Sequence, residues 1–160
     1  MKKRIHIFRF LLCAALAANL LIGIAGAADH TPKTPYAKQF IADCEGQTWF
    51  IDEIERLLNL EQRTLDTVTG PEDFAEIRSL GLKDRGITGK IPTAIGELKE
   101  LRYVFLSGNR LSGDIPASLY TLPKLQNIDL AGNSYAGTIP SEFGTMPSLT
   151  ALNLKDNQYQ

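Results

Sequence analysis

The sequence predicts an α/β fold: a solenoid of stacked coils with a parallel sheet, closed at its N-terminal end by a helical cap. Three observations carry this. Leu101, Leu125 and Leu149 open stretches that repeat at a spacing of 24 residues, and so short a fixed period means stacking coils. Within each stretch an inward pair alternates with its neighbours, Val104/Leu106, Ile128/Leu130 and Leu152/Leu154, which is the period of a strand. Ahead of the repeats, Pro35 to Leu60 carries apolar residues at helical spacing.

Taken in chain order, residues 1–28 read as a secretory signal peptide. Lys2, Lys3, Arg4 and Arg9 form a basic head, Phe10 to Gly26 is an uncharged apolar run, and Ala25-Gly26-Ala27 offers small residues for cleavage after Ala27 or Ala28. An uncleaved membrane anchor is the competing reading, but about 17 residues is the short limit for a span. A lipoprotein site at Cys13 is disfavoured, because Leu12 stands where a small residue is wanted. Residues 29–34 form a polar linker. Residues 35–76 form the helical cap. Thr34 caps a helix that begins at Pro35, with Tyr36, Phe40, Ile41 and Cys44 on one face and Gly46 ending it. A second helix starts near Thr48, with Trp49, Phe50, Ile51, Ile54, Leu57, Leu58 and Leu60 making an apolar stripe in which Ile51, Ile54 and Leu58 have helical spacing. Asp52, Glu53, Glu55 and Arg56 make its solvated face. Leu65 to Val68 suggests a short extended piece, and Pro71 to Phe74 a single helical turn.

The repeats occupy residues 77–160: Ile77 to Glu100, Leu101 to Lys124, Leu125 to Ser148, and a fourth that stops after twelve residues. Asn109, Asn133 and Asn157 sit where the chain turns inward after each strand. Their side chains carry donors and acceptors for the backbone groups that the turn leaves unpaired. Gly89, Gly113 and Gly137 allow a backbone turn closed to other residues. Pro92, Pro116 and Pro140 fix φ where each return segment begins. Ile95/Leu98, Leu119/Leu122 and Phe143/Met146 line the convex half of the core. Arg85 replaces the asparagine of the first coil, so that turn must be satisfied differently. The stop at Gln160 would leave Leu152, Leu154 and Tyr159 at an open edge, which points to a truncated product or a fragment and to possible self-association.

These residues resemble the plant-type, 24-residue leucine-rich repeat, L-x-x-L-x-L-x-x-N-x-L-x-G-x-I-P-x-x-L-x-x-L. The resemblance covers Ile77 to Gln160. The cap is more similar to those of secreted bacterial proteins of the internalin kind, since plant caps usually carry paired cysteines and this one has Cys44 alone. The resemblance implies a right-handed solenoid with a parallel concave sheet, serving as a surface or secreted binding module whose concave face makes contact.

Composition narrows the chemistry. Of 17 Lys+Arg, four lie in the basic head, leaving 13 against 18 Asp+Glu, a net charge of −5 after cleavage. That disfavours nucleic acid and anionic lipid as partners. Cys44 is the only cysteine after cleavage, which rules out an internal disulfide. It reads as a small buried apolar residue, with intermolecular pairing the alternative. His30 is the only histidine after cleavage, which argues against His-based nucleophilic catalysis and His-ligated zinc. No phosphate loop, dinucleotide fingerprint or glycosylation sequon is present. Ile41 to Asp52 has a glycine as calcium loops do, but Ile41 stands at the first ligand position. No metal and no cofactor is expected.

The outward strand positions remain. They are Ser79, Gly81, Lys83 and Asp84, then Tyr103, Phe105, Ser107 and Gly108, then Asn127, Asp129, Ala131 and Gly132, and last Ala151, Asn153, Lys155 and Asp156. Tyr103 and Phe105 are two apart and project from one face. With Asn127, Asp129 and Asn153 they form the expected ligand site, an aromatic anchor with a polar rim. Ordinary cross-strand packing is the competing account. Four strands about 4.8 Å apart make a face roughly 15 Å across, smaller than the roughly 800 Å² per partner of a standard interface. The expectation is a non-catalytic module for a protein or peptide, less so a glycan. A self-associating scaffold element, or the recognition arm of a larger enzyme, are the alternatives.

Overall fold

The computed structural model describes residues 32–160. The signal-peptide reading of residues 1–28 lies outside the described residues.

Two helices open the fold, α1 (Pro35–Asp43) and α2 (Thr48–Leu60). Thr34 Oγ1 accepts the Ala37 N–H at 2.9 Å, and Pro35 follows where no donor is lost. Glu45 and Gly46 take positive φ and reverse the chain between the helices. Phe40 packs on Phe74 with ring centroids 4.7 Å apart and on Phe50 at 6.2 Å. Cys44 is fully buried beside them, and burial pushes its thiol pKa up. Three expectations for the cap fail. Glu53 is buried rather than solvated, because Arg56 grips both its oxygens at 2.8 Å and neutralises it. Leu60 closes α2 outside the core and stays exposed. Leu65–Thr67 is a 3₁₀ turn rather than an extended piece. Thr67 bonds Thr64 O through both its N–H and its hydroxyl, curling the segment so that Leu65 and Val68 face inward. Pro71–Phe74 forms the expected turn, also 3₁₀.

The repeats then supply strands β1 (Ser79–Gly81), β3 (Tyr103–Phe105), β5 (Asn127–Asp129) and β7 (Ala151–Asn153), paired in parallel in that order. Leu80, Val104, Ile128 and Leu152 share one register row. The first three are fully buried, while Leu152, in the last described coil, is 38% exposed. Leu106 and Leu130 are also fully buried, and each such side chain contributes about 1.5–3 kcal/mol. After each inward turn a two-residue strand forms. β2 (Thr88–Gly89) pairs with β4 (Arg110–Leu111), and β6 (Ala136–Gly137) with β8 (Gln158–Tyr159). Gly89, Gly113 and Gly137 hold φ of 93°, 78° and 88°, the left-handed region that glycine enters without strain. The return segments are 3₁₀ turns at Thr93–Glu97 and Ser141–Thr145 and a short helix α3 (Ala117–Tyr120), each beginning after its proline. Ile95, Leu98, Leu119, Leu122, Phe143 and Met146 are buried there as expected.

Asparagine side chains tie coil to coil. Asn133 Oδ1 accepts the Leu111 N–H at 2.9 Å, and its Nδ2 donates to Leu106 O and Leu130 O. Asn157 does the same for Tyr135 N–H, Leu130 O and Leu154 O. Arg85 leaves no gap in this ladder. Asn109 of the next coil reaches back, its Oδ1 accepting from both Arg85 N–H and Ile87 N–H at 3.0 Å. The cap docks on the first coil through Tyr36 Oη donating to Glu97 at 2.6 Å, Lys90 N–H donating to Gln47 Oε1 at 3.1 Å, and a Lys90–Glu45 ion pair.

Tyr135 is fully buried, its ring parallel to that of Tyr159 at 6.4 Å. Its hydroxyl meets no hydrogen-bonding group among the described residues. A buried hydroxyl without a partner costs about 1–3 kcal/mol, part of which the tight ring packing returns. Tyr135→Phe is therefore expected to raise stability by about 1 kcal/mol, or roughly 3–5 °C in Tm. A thermal melt showing a loss of that size would place an unseen partner on the hydroxyl.

Candidate functional site

The outward face of the four-stranded sheet is built on the buried row beneath it. Inward Val104 and Ile128 lock β3 and β5 to the core, and strand alternation then sends Tyr103, Phe105, Asn127 and Asp129 the other way. Register sets two rows across the strands. The first is Ser79, Tyr103, Asn127, Ala151, and the second is Gly81, Phe105, Asp129, Asn153. All five expected site residues thus stand on one face, in adjacent positions.

The two aromatic rings lie parallel, 9° between planes and 6.1 Å between centroids. Tyr103 is 37% exposed and its hydroxyl reaches Gln126 Oε1 at 3.4 Å. Phe105 is half-buried. Its flank toward β1 is open, since a Cβ built on Gly81 would meet nothing within 4 Å. On the other flank Asp129 is half-buried, and one of its oxygens accepts the Ala131 N–H at 3.3 Å. Asn153 repeats this geometry on its own strand, accepting the Lys155 N–H at 3.2 Å.

Ser107, expected to face outward, is buried at 5% exposure. The chain turns inward after Leu106, and Asn109 Nδ2 holds Ser107 O at 3.3 Å. At the neighbouring position Asp84, Gly108, Gly132 and Asp156 all take positive φ, and the Asp84 carboxylate lies where a Gly108 side chain would be. The recurrence of Gly or Asp every 24 residues was the available signal for this turn. Gln126 and the empty flank at Gly81 were not singled out from sequence. A single glycine in a strand carries no mark of which ring it leaves bare.

The face can bind but offers little for catalysis. It presents two aromatics, two amides and one carboxylate, and no nucleophile–base pair stands among these five residues. No grouping of ligand side chains fit for a metal ion occurs among the described residues. No helix among them is long and apolar enough to cross a membrane.

Residues 99–159 match the leucine rich repeat family model. No curated protein matches the chain. An internalin, InlF, from Listeria monocytogenes superposes with a TM-score of 0.58 at 22% identity, over 81% of this chain and 34% of its own. A plant ice-binding protein gives 0.51 at 35% identity, over 58% and 32%. The PEPR1-AtPEP1 structure gives 0.51 at 34%, over 57% and 13%. The chain spans less than half the length of each of these structures.

Proposed function

On a chain that folds as a leucine-rich-repeat solenoid, we propose that the four-stranded face binds a protein or peptide outside the cell and performs no catalysis. The carrying observation is the parallel, partly exposed Tyr103–Phe105 pair flanked in register by Asn127 and Asp129. Aromatic anchors ringed by polar groups are the usual source of binding energy at such surfaces. Likeness to the PEPR1-AtPEP1 structure supports a proteinaceous ligand, and the character of residues 1–28 supports export. In this reading residues 29–34 link, 35–76 cap, and 77–160 bind, with Asn153 completing the polar rim. A face of this size binds modestly unless the cap adds contacts.

The double variant Tyr103→Ala/Phe105→Ala is expected to weaken capture of the extracellular partner by about 2 kcal/mol or more, roughly thirtyfold, while Tm moves little. Capture from extracellular material by wild-type and variant proteins, with binding curves for what is captured, measures this. Equal affinity of the two proteins would remove the site assignment.

A second reading, a self-associating scaffold element, rests on Ile139 at 55% and Leu152 at 38% exposure in the last described coils. Light scattering at micromolar concentration separates the two, since a monomer speaks against the scaffold.

A further inference from the structure

Asp129 is the only anion in its row, and it is unusually placed. It is half-buried and pairs in register with Phe105, and the one hydrogen bond to its carboxylate among the described residues is the long contact from Ala131 N–H. No described lysine or arginine forms an ion pair with it, whereas the half-buried Asp66, Asp73 and Glu100 each have one. An unpaired carboxylate on this face leaves an anionic position open to a cationic ligand group. Phe105 is its register partner on β3, Tyr103 stacks parallel to Phe105, and the slot above Gly81 on the far side of Phe105 is empty.

We propose that this corner of the face is a subsite for a basic side chain, arginine above all, of an extended peptide. The assignment rests on the reading of the face as a peptide-binding surface and specifies what it selects. The alkyl stem would lie in the slot over Gly81 and across the Phe105 ring, with the cationic head meeting the Asp129 carboxylate. Aromatic faces attract cations. A guanidinium is planar and weakly hydrated, so it stacks on a ring and still offers its donor fork to a carboxylate. A neutral side chain in the same place would cover Asp129 without pairing it, and an acidic one would add repulsion. Selection therefore comes as much from rejecting wrong ligands as from attracting right ones. Lys83 and Lys155 stand one row further on, on the two outer strands, both exposed. They disfavour a second basic residue beside the first, which makes this a recognition of one cation rather than of a basic tract.

The test is selection of a random displayed peptide library on wild-type protein, on Asp129→Asn and on Tyr103→Ala/Phe105→Ala. Peptides selected on wild type are expected to be enriched in arginine next to an apolar residue. Replacing that arginine by citrulline, its neutral isostere, should weaken binding to wild-type protein roughly tenfold. Asp129→Asn, checked for an unchanged Tm, should lose the same factor and no longer distinguish the two peptides. Selected peptides without basic enrichment, or a citrulline peptide that binds as tightly as its parent, would overturn the subsite. The underlying reading would survive that result if binding still disappeared in the aromatic double variant. Failure to select any peptide on wild type would overturn both.

Discussion

Leu130→Asp is expected to unfold the repeats. Leu130 is fully buried, as is Leu106 of the coil before it. Its carbonyl already holds two ladder amides, Asn133 Nδ2 at 3.0 Å and Asn157 Nδ2 at 2.9 Å, and its N–H bonds Asn153 O at 2.9 Å. The strand cannot rotate the new side chain outward without breaking all three. Losing the leucine costs about 2–5 kcal/mol in packing. A carboxylate held in that place must also stay protonated at pH 7. Raising its pKa from about 4 to beyond 7 adds at least about 4 kcal/mol. Together these approach or exceed the roughly 5–15 kcal/mol that holds a domain of this size.

The sign of the pH effect separates the two parts. In the folded variant the carboxyl would bind its proton more tightly than in the unfolded chain, so stability falls as pH rises from about 4. Below about pH 4 both states are protonated and the electrostatic part of the loss vanishes. Circular dichroism melts between pH 4 and 7 should therefore show partial recovery in acid, relative to wild type under the same conditions. Leu130→Asn should show none. A Leu130→Asp protein that melts like wild type at pH 7 would mean the stacked leucine register is wrong.

What the sequence made legible follows from repetition. The strand at Tyr103–Phe105 is three residues long, too short to be identified alone, but its two copies at fixed spacing identify it and its inward side. The same logic located the asparagines, the Gly-x-Ile-Pro turns and the outward aromatic pair. Features that occur once had no such support. Gln47 of the cap caps the backbone at Lys90, yet nothing local to Gln47 shows a partner 43 residues away. Glu53 lies in a run of charges that reads as surface, and only the grip of Arg56 makes its burial tolerable. Arg85 looked like a broken rung because the pattern was read within a coil. The structure shows that each asparagine serves the coil before it, so the rung is supplied by Asn109. In the site, alternation gave the residues and the face. The bare flank of Phe105 and the unpaired state of Asp129 depend on what neighbouring strands lack, which a pattern of side chains present does not reveal.

Asn133 should prove the most informative single position after Leu130. Its amide joins two coils: one oxygen for the Leu111 N–H, one nitrogen for the carbonyls of Leu106 and Leu130, with Ala131 O at 3.3 Å as a longer third. Leu111 is fully buried, and its N–H donates to Asn133 Oδ1. Asn133→Ala leaves that donor unpaired inside the core, at about 1–3 kcal/mol, while Leu106 O and Leu130 O each keep a second amide, from Asn109 Nδ2 and Asn157 Nδ2, so a loss of roughly 2–3 kcal/mol is expected. Asn109 serves two N–H groups and should cost at least as much. Asn157 is half-buried and should cost less. Asn133→Asp tells which half of the amide matters. Its carboxylate could still accept from Leu111 but would face two carbonyl oxygens, so at pH 7 it should destabilise at least as much as alanine. Protonation restores a donor, which raises the folded pKa. The variant should therefore regain stability as pH falls toward about 4, where alanine gains nothing relative to wild type. Denaturant titrations of Asn109→Ala, Asn133→Ala, Asn157→Ala and Asn133→Asp at both pH values measure this. If all remained within about 0.5 kcal/mol of wild type, the asparagines would be ornaments on coils held by leucine packing alone.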